Sequence, residues 1–410
     1  MLIVKKIKVY KTVPLFLLGL FIWLSSCKIN SLNSSTPESL GLYSDKLKVA
    51  ENKMQEYVDQ GKLAGISTLV IKDGKVVQRS NFGFADIKNQ SPIENNTIFR
   101  IFSMTKPITA VALMTLYDEG KFTLDDNVSK YIPEFKDTKV YQKKGNTFEL
   151  VPQDTQMTIR HLLTHTSGLS YGWSKSYVDS LYNANGANAL SGTLGDKVKT
   201  LASLPLNFQP GTQYRYGLSI DVAGYLVEVL SQMSLNDYFN THIFDPLKMD
   251  DTGFYVPQEK HERFSDVFHY NNDGKLIGAN GYYKKAFKSP VTLFSGGGGL
   301  VSTIDDYANF CMMLLNGGEL DGVRVLSKKA TQMIMSNQFP KNVKYWNGNS
   351  YGLGGAIDIE SGEYSWSGMA STNFWIDSKN RMIILTYAQL IPSNHAYAYA
   401  FKELIYSALK

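Results

Sequence analysis

The sequence predicts a mixed α/β (α+β) fold in which segments near both ends of the chain form one antiparallel sheet, with a mostly helical lobe inserted between them. Strand-like segments occur at about 65–85 and again at about 351–388, whereas about 155–250 alternate short helical stretches with loops rich in Gly, Pro and Asn. The composition, 43% hydrophobic and 19% charged in a chain of 410 residues, is typical of a globular protein with a large core. It excludes collagen-like, disordered and disulfide-scaffold proteins.

The N-terminal part of the predicted sheet is a hairpin that follows a helix. The helix is expected at about 44–60, and the strand-like segments Gly65–Ile71 and Lys75–Ala85 come next. These segments flank Asp73-Gly74, a pair favoured in type I′ turns, and therefore predict a tight β-hairpin. Apolar residues at helical spacing then predict a helix over about 104–119.

The final third of the chain returns to strands and supplies the rest of the sheet. Strands are expected at about 351–358, 363–368, 372–377 and 381–388, with a helix near 395–409. We therefore assign the sheet lobe to about 41–100 and 290–410, and the helical lobe to about 111–290.

The first 26 residues read as an export signal. They contain four lysines and no acidic residue, and the apolar run Val13–Leu24 is too short to span about 30 Å of hydrocarbon as a helix. Subtracting these lysines from the net charge of +5 leaves +1 for the rest of the chain. The main body therefore offers no electrostatic argument for nucleic-acid binding.

The leader ends in Leu24-Ser25-Ser26-Cys27, which resembles the lipobox of bacterial lipoproteins. That resemblance implies cleavage before Cys27, lipid on its sulfur, and a membrane-anchored protein of the bacterial cell envelope. Lys28 replaces the Asp expected for inner-membrane retention, which favours the outer membrane, facing the periplasm or the cell surface. The alternative is a plain signal peptide or a short anchor. Residues 27–40 are polar and are predicted to be a tether, with the folded domain at 41–410.

Neither cysteine nor histidine spacing indicates a metal site or a cofactor. Cys311 lies in an apolar helical run and is expected to be a buried small hydrophobe. His161 and His165 stand four residues apart, but the Glu of a zincin motif is missing. Capping and loop packing are the favoured interpretation of these two residues.

Two Gly-x-Ser-x-Gly motifs offer candidate nucleophiles at Ser170 and Ser350. The hydrolase elbow requires this motif on a sharp turn between a strand and a helix. Ser170 instead follows a helix-like segment and a polar turn, and Ser350 leads from a polar loop into a strand. The run Gly296–Gly299 lacks the Gly-Lys-Ser/Thr of a phosphate loop and indicates backbone flexibility and close approach.

Ser103 and Lys106 form the Ser-x-x-Lys pattern in a better context, where an extended apolar segment meets the start of a helix. A serine there has a free backbone N–H for an oxyanion. The lysine lies one turn further along the same face, and a desolvated amine can accept the hydroxyl proton. The alternative is that Ser103 only caps the helix while Lys106 is solvated.

The segments around this pair resemble the class C β-lactamase superfamily of penicillin-binding-protein-like serine hydrolases, including its esterase branch. The resemblance covers about residues 40–408 and implies a β-lactamase/transpeptidase-like fold. Its motifs are Phe102–Ala110, Gly120–Glu134, Thr158–Leu169, Pro210–Tyr216, Ile243–Met249 and Gly297–Tyr307.

The resemblance assigns a role to each matching residue. Ser103 matches the nucleophile and Lys106 its paired base. Tyr216 matches the tyrosine of the Tyr-x-Asn element, which shares a proton with the lysine and activates the deacylating water; Tyr214 is a nearby rival. The backbone N–H groups of Ser103 and Met369 would then form the oxyanion hole.

Two departures from the family pattern shape the predicted substrate pocket. Leu218 replaces the asparagine of Tyr-x-Asn, and Trp366-Ser367-Gly368 stands in place of Lys-Thr-Gly. Both changes remove polar contacts, and the second removes a cation suited to the carboxylate of penicillins and D-alanyl peptides. An aromatic that merely fills a sheet face is the alternative reading of Trp366.

The sequence therefore predicts a cofactor-independent and metal-independent serine hydrolase that acts on a small-molecule ester or amide through an acyl-enzyme. The pattern is similar to that of family VIII carboxylesterases, which implies short-chain or small neutral esters as substrates. A β-lactamase, or a D-alanyl-D-alanine carboxypeptidase or D-aminopeptidase, is the first alternative. A non-catalytic envelope lipoprotein that uses the fold for binding is an alternative from another class.

Overall fold

Strands from the two ends of the chain pair with each other in a computed structural model that describes residues 32–145, 147–345 and 348–410. The predicted export segment 1–26 and Cys27 lie outside these residues. Sixteen strands are present in the described ranges: β1 Gly65–Lys72, β2 Lys75–Asp86, β3 Ser91–Pro92, β4 Phe99–Arg100, β5 Val140–Lys144, β6 Thr147–Val151, β7 Phe268–Tyr270, β8 Leu276–Gly278, β9 Val301–Ser302, β10 Glu319–Leu320, β11 Val323–Arg324, β12 Ser350–Tyr351, β13 Ala356–Ile357, β14 Tyr364–Ser367, β15 Thr372–Asp377 and β16 Met382–Tyr387.

The same ranges contain twelve α-helices. They are α1 Ser44–Asp59, α2 Thr105–Asp118, α3 Ile159–Leu163, α4 Tyr177–Ala184, α5 Leu194–Ala202, α6 Ser219–Ser231, α7 Leu235–Phe239, α8 Asp245–Leu247, α9 Tyr282–Lys285, α10 Ile304–Leu315, α11 Lys328–Ile334 and α12 Ala396–Ser407. None of them is long and apolar enough to cross a membrane.

One antiparallel sheet of eight strands, in the order β12-β13-β14-β15-β16-β1-β2-β3, confirms the predicted architecture. The N-terminal hairpin joins the C-terminal strands through β1 and β16, with Leu69 opposite Leu385. At the hairpin turn, Asp73 and Gly74 have φ angles of 50° and 75°. Both values are positive, as a type I′ turn requires.

Helices cover both faces of the sheet. Trp375 packs in the core cluster with α1 and α12, whereas the neighbouring Phe374 contacts Tyr307 of α10 with ring centroids 5.2 Å apart. Successive residues of a strand point to opposite faces, so both faces must be apolar. This explains why β16, Met-Ile-Ile-Leu-Thr-Tyr, is a continuous buried run rather than an alternating one.

The structure corrects two predicted boundaries. The described part of the predicted tether, residues 27–40, is attached to the sheet: Ser34 forms a bridge with Val76, and Pro37–Leu40 form a 3₁₀-helix. Its polar composition hid these backbone contacts. The strand predicted at 351–358 is two short strands, β12 and β13, because Gly354, with φ of 75°, turns the chain between them.

Two connections bring distant segments to the start of α2. The antiparallel pair β4–β9 sets Phe99 opposite Ser302, so residues just after β4 lie beside residues just before β9. The ladder continues with a hydrogen bond of 3.2 Å from Ile101 N–H to the Leu300 carbonyl. Residues 102–103 therefore meet the glycine run Gly296–Gly299.

Candidate active site

Ser103 lies where the chain passes from β4 into α2 through a short 3₁₀ turn, Phe102–Met104. Phe102 has a φ of 41°, in the left-handed region that a bulky side chain rarely adopts. Such a conformation costs on the order of 1–3 kcal/mol and persists only where surrounding contacts hold it. Here the Phe102 ring is buried against Phe287, with centroids 5.5 Å apart. The strained turn presents Ser103 to a cavity of about 840 Å³.

The Ser103 hydroxyl accepts hydrogen bonds from two of the predicted residues. Lys106 Nζ lies 3.0 Å and Tyr216 OH 2.7 Å from Ser103 Oγ. Lys106 is fully buried, and its Nζ also donates to the Gly297 carbonyl at 2.6 Å. The same Nζ lies 4.5 Å from the centroid of the Tyr216 ring. The three residues form one contact network, and Lys106 is not the solvated lysine of the alternative interpretation.

The geometry separates Tyr216 from its rival Tyr214. The Tyr214 phenol bonds with Tyr345, and burial raises the pKa of Tyr214 well above its ordinary value. The rings of these two residues meet edge to face with centroids 4.8 Å apart. Tyr216 is thus the tyrosine at the Ser103 hydroxyl.

Two neighbours hold the Tyr216 side chain in place. The His165 ring lies 4.9 Å from it, and His165 Nδ1 accepts a hydrogen bond of 3.4 Å from Gly217 N–H. Burial and the charge of Lys106 lower the pKa of His165 well below its ordinary value, so the imidazole is neutral. Tyr171, which is half-buried, bonds with the Tyr216 phenol, and its ring stacks on that of Trp173 with centroids 4.3 Å apart.

His161 and His165 do not share a helical face. His161 lies in α3 and accepts a hydrogen bond from Thr158 N–H on Nδ1 at 3.2 Å, completing a capping box. Burial lowers the pKa of His161 to about 4. Helix α3 ends at Leu163, and His165 turns towards Tyr216. These are the capping and packing roles that the sequence favoured.

The predicted pocket residues Leu218, Trp366, Ser367 and Gly368 all line the cavity that contains Ser103, as does the predicted oxyanion-hole residue Met369. The Trp366 ring lies 5.5 Å from the Tyr216 ring. Its buried Nε1 has no hydrogen-bond acceptor among the described residues. Trp366 is therefore part of the cavity wall as well as of the sheet.

The two backbone N–H groups predicted for the oxyanion hole belong to residues on the same cavity wall. Met369 follows β14 in the turn that leads to β15, and Gly368 N–H closes this turn on the Thr372 carbonyl at 2.8 Å. Gly368 also packs directly on the Ile101 carbonyl, where a Cβ has no space. This contact sets the turn that contains Met369 against the chain two residues before Ser103.

The rejected nucleophile candidates lie apart from the cavity. Ser170 is buried and its Oγ accepts a hydrogen bond from Gly172 N–H at 3.1 Å. Ser350 is also buried and donates to Asn337 Oδ1. Neither residue lines the cavity.

Three residues of the site escaped the sequence analysis: Tyr171, Asp221 and Lys197. Tyr171 lies inside the first Gly-x-Ser-x-Gly motif, next to the candidate serine Ser170. Asp221 lies against the glycine run, since a Cβ on Gly297 would be 2.5 Å from Asp221 Oδ2. The close approach predicted for this run is confirmed. The consecutive glycines are the sequence signal that a buried group packs against this backbone. Nothing in the sequence singled out Lys197.

Comparison with protein families and curated proteins identifies the family of the chain. The family model Beta-lactamase matches residues 50–405. Protein Rv1367c of Mycobacterium tuberculosis is 32% identical over 362 residues, covering 83% of this chain and 89% of that protein. Esterase EstB of Burkholderia gladioli is 34% identical over 212 residues, covering 51% of each chain. A putative D-alanyl-D-alanine carboxypeptidase of Salmonella agona is 29% identical over 388 residues, covering 86% of this chain and 85% of that protein.

Solved structures share the fold. EstCE1, described as a hydrolase with promiscuous acyltransferase activity, superposes with a TM-score of 0.74 at 23% identity. The match covers 88% of this chain and 99% of EstCE1. At this level of identity the likeness supports the fold alone.

Proposed function

The chain belongs to the β-lactamase family and is a serine hydrolase, and we propose that within this family it hydrolyses small carboxylic esters with short or neutral acyl groups. The proposal takes Ser103 as nucleophile, with Lys106 and Tyr216 as the groups that move its proton. It requires neither a metal ion nor a cofactor.

The contacts of Ser103 support an acyl-transfer sequence. Its Oγ attacks the acyl carbonyl while its proton passes to the Lys106–Tyr216 pair, and the pair then protonates the departing alcohol as the ester C–O bond breaks. A water that gives its proton to Tyr216 attacks the acyl-enzyme. The acid leaves and the proton returns to Ser103. The N–H groups of Ser103 and Met369 would stabilise the oxyanion in both steps.

The observation that carries the ester preference is Trp366. It stands where relatives that bind carboxylates have the lysine of Lys-Thr-Gly, and it packs at 5.5 Å from Tyr216. A carboxylate placed against an indole loses its hydration without gaining a cationic partner, which is costly in a buried site. Leu218, at 1% exposure, likewise offers no polar contact to an acylamide.

Ser103→Ala tests this proposal with p-nitrophenyl butyrate as substrate. The variant should lose essentially all turnover, whereas the matched controls Ser170→Ala and Ser350→Ala should retain it. Nitrocefin and a D-Ala-D-Ala peptide, assayed side by side, test the alternatives. Turnover of either one above that of the ester would replace the esterase proposal with a β-lactamase or carboxypeptidase.

We also propose that the protein is exported and anchored in the bacterial envelope by lipid on Cys27. The support is the lipobox-like segment Leu24–Cys27 after a lysine-rich start and an apolar run. An anchored enzyme of this kind meets small esters in the envelope rather than in the cytosol. The outer membrane is the proposed location because Lys28 follows the cysteine.

A further inference from the structure

A second polar centre lies in the wall of the Ser103 cavity, on the side formed by α5 and α6. It consists of Lys197, Asp221 and Ser295, all of which line the cavity. The side chains of Lys197 and Asp221 are only 6% and 1% exposed, and Lys197 Nζ lies 3.8 Å from Asp221 Oδ1. The cavity therefore contains a buried cation that the esterase mechanism does not use.

The bonding of this lysine is incomplete. Asp221 Oδ1 accepts a hydrogen bond of 2.6 Å from Ser295, but 3.8 Å is too long for one from Lys197. Lys197 Nζ donates a hydrogen bond to no group in the described ranges. By contrast, Lys260 Nζ lies 2.8 Å from Asp251 Oδ1, a distance typical of a structural ion pair. A buried ammonium with three unused donors is costly unless an acceptor enters its site.

The charges of the cavity wall favour an anionic acceptor. Its charged residues are Lys197, Lys285 and Asp221, which together carry +1. The polar centre is also adjacent to the catalytic lysine: Gly297 touches Asp221 on one side and binds Lys106 Nζ through its carbonyl on the other. A single small molecule can thus reach both Ser103 and Lys197.

We propose that Lys197 binds a carboxylate carried by the substrate at a distance from its ester bond. The preferred substrates are then monoanionic esters, such as half-esters of dicarboxylic acids. This inference rests on the proposed ester hydrolysis and changes its substrate class. Trp366 occupies the position on β14 where the family pattern has a lysine, and in this chain the cation comes from Lys197 on α5 instead. The carboxylate of the substrate must therefore lie at a different position from the carboxylate of penicillins.

The test compares monoethyl half-esters of dicarboxylic acids of increasing length with ethyl esters of the matching monocarboxylic acids, following acid release. A second series, acetate esters of hydroxy acids, places the carboxylate in the alcohol portion and shows which portion faces Lys197. In one series, at one chain length, kcat/KM for the carboxylate substrate should exceed that for its neutral counterpart by about tenfold or more. Lys197→Met should abolish this preference. Lys199→Met, an exposed lysine on the same helix, should leave it intact.

Lys197→Met leaves Asp221 buried without a cation, so this single variant is expected to fold less stably. The double variant Lys197→Met/Asp221→Asn removes both charges and leaves the net charge of the cavity wall unchanged at +1. It too should lose the preference. The inference is overturned if no length shows a preference, or if the preference survives both variants. Ser103→Ala separates the two proposals: persistent ester hydrolysis in that variant contradicts the proposed function, whatever Lys197 does.

Discussion

Replacing Gly297 with alanine tests how the site holds Lys106, the proposed catalytic lysine. The new Cβ would lie 2.5 Å from Asp221 Oδ2, about 0.9 Å short of ordinary contact. Asp221 cannot retreat easily, because it is 1% exposed and is bonded to Ser295. The glycine must therefore move, and its carbonyl, now 2.6 Å from Lys106 Nζ, moves with it. A displacement of about 0.9 Å breaks that hydrogen bond.

The expected loss follows from this displacement. A misplacement of about 1 Å in a catalytic arrangement typically costs about 100-fold in rate. We expect kcat for p-nitrophenyl butyrate to fall by about that factor, while overpacking lowers the free energy of unfolding by about 1–3 kcal/mol. Steady-state kinetics and thermal unfolding of the same preparation separate the two effects.

Gly298 provides the matched control. A Cβ at Gly298 would have its nearest neighbour, the carbonyl carbon of Phe102, at 3.8 Å, which is ordinary contact. Gly298→Ala should therefore lose at least tenfold less activity than Gly297→Ala. Equal losses in the two variants, or wild-type turnover in Gly297→Ala, would refute the proposed support of Lys106.

Three further predictions concern Tyr216, His161 and Cys27. Tyr216→Phe should lower kcat by about 10²–10⁴-fold because its hydroxyl bonds directly to Ser103, the proposed nucleophile. Tyr214→Phe should retain most activity, and equal losses in the two variants would contradict the assignment. The pKa of His161 is about 4 in the folded protein and near 6.5 in the unfolded chain, so the unfolded chain takes up the proton first as the pH falls. The free energy of unfolding therefore decreases by about 1 kcal/mol per pH unit between pH 6.5 and pH 4. Denaturant unfolding of His161→Gln, which keeps an acceptor for the Thr158 N–H, should show a correspondingly shallower pH dependence, and an unchanged slope would contradict it. Cys27→Ala should abolish lipid attachment and change both leader processing and membrane partitioning, and if both stay unchanged the lipobox interpretation fails.

Local chemistry made much of the fold predictable. Asp73-Gly74 specified the hairpin because few residue pairs accept two positive φ angles in succession. The spacing of Ser103 and Lys106 specified their contact because three residues along a helix start return the chain to the same face. Tyr216 was placed by its resemblance to the family motif and then found 2.7 Å from Ser103 Oγ.

The unpredicted parts of the site depend on tertiary packing. Lys197 and Asp221 belong to different helices, and only the packing of α5 against α6 brings them together. Tyr171 reaches Tyr216 from a loop whose path no local pattern specifies. The attachment of Ser34 to Val76 likewise depends on backbone hydrogen bonds, which side-chain composition does not reveal.

The most direct test of the central claim is to identify the serine that forms the covalent intermediate. Wild-type protein treated with a fluorophosphonate probe and analysed by peptide mass spectrometry should carry one adduct, on Ser103, in step with the loss of ester turnover. An adduct on Ser170 or Ser350, or full turnover in protein that is fully labelled at Ser103, would contradict it.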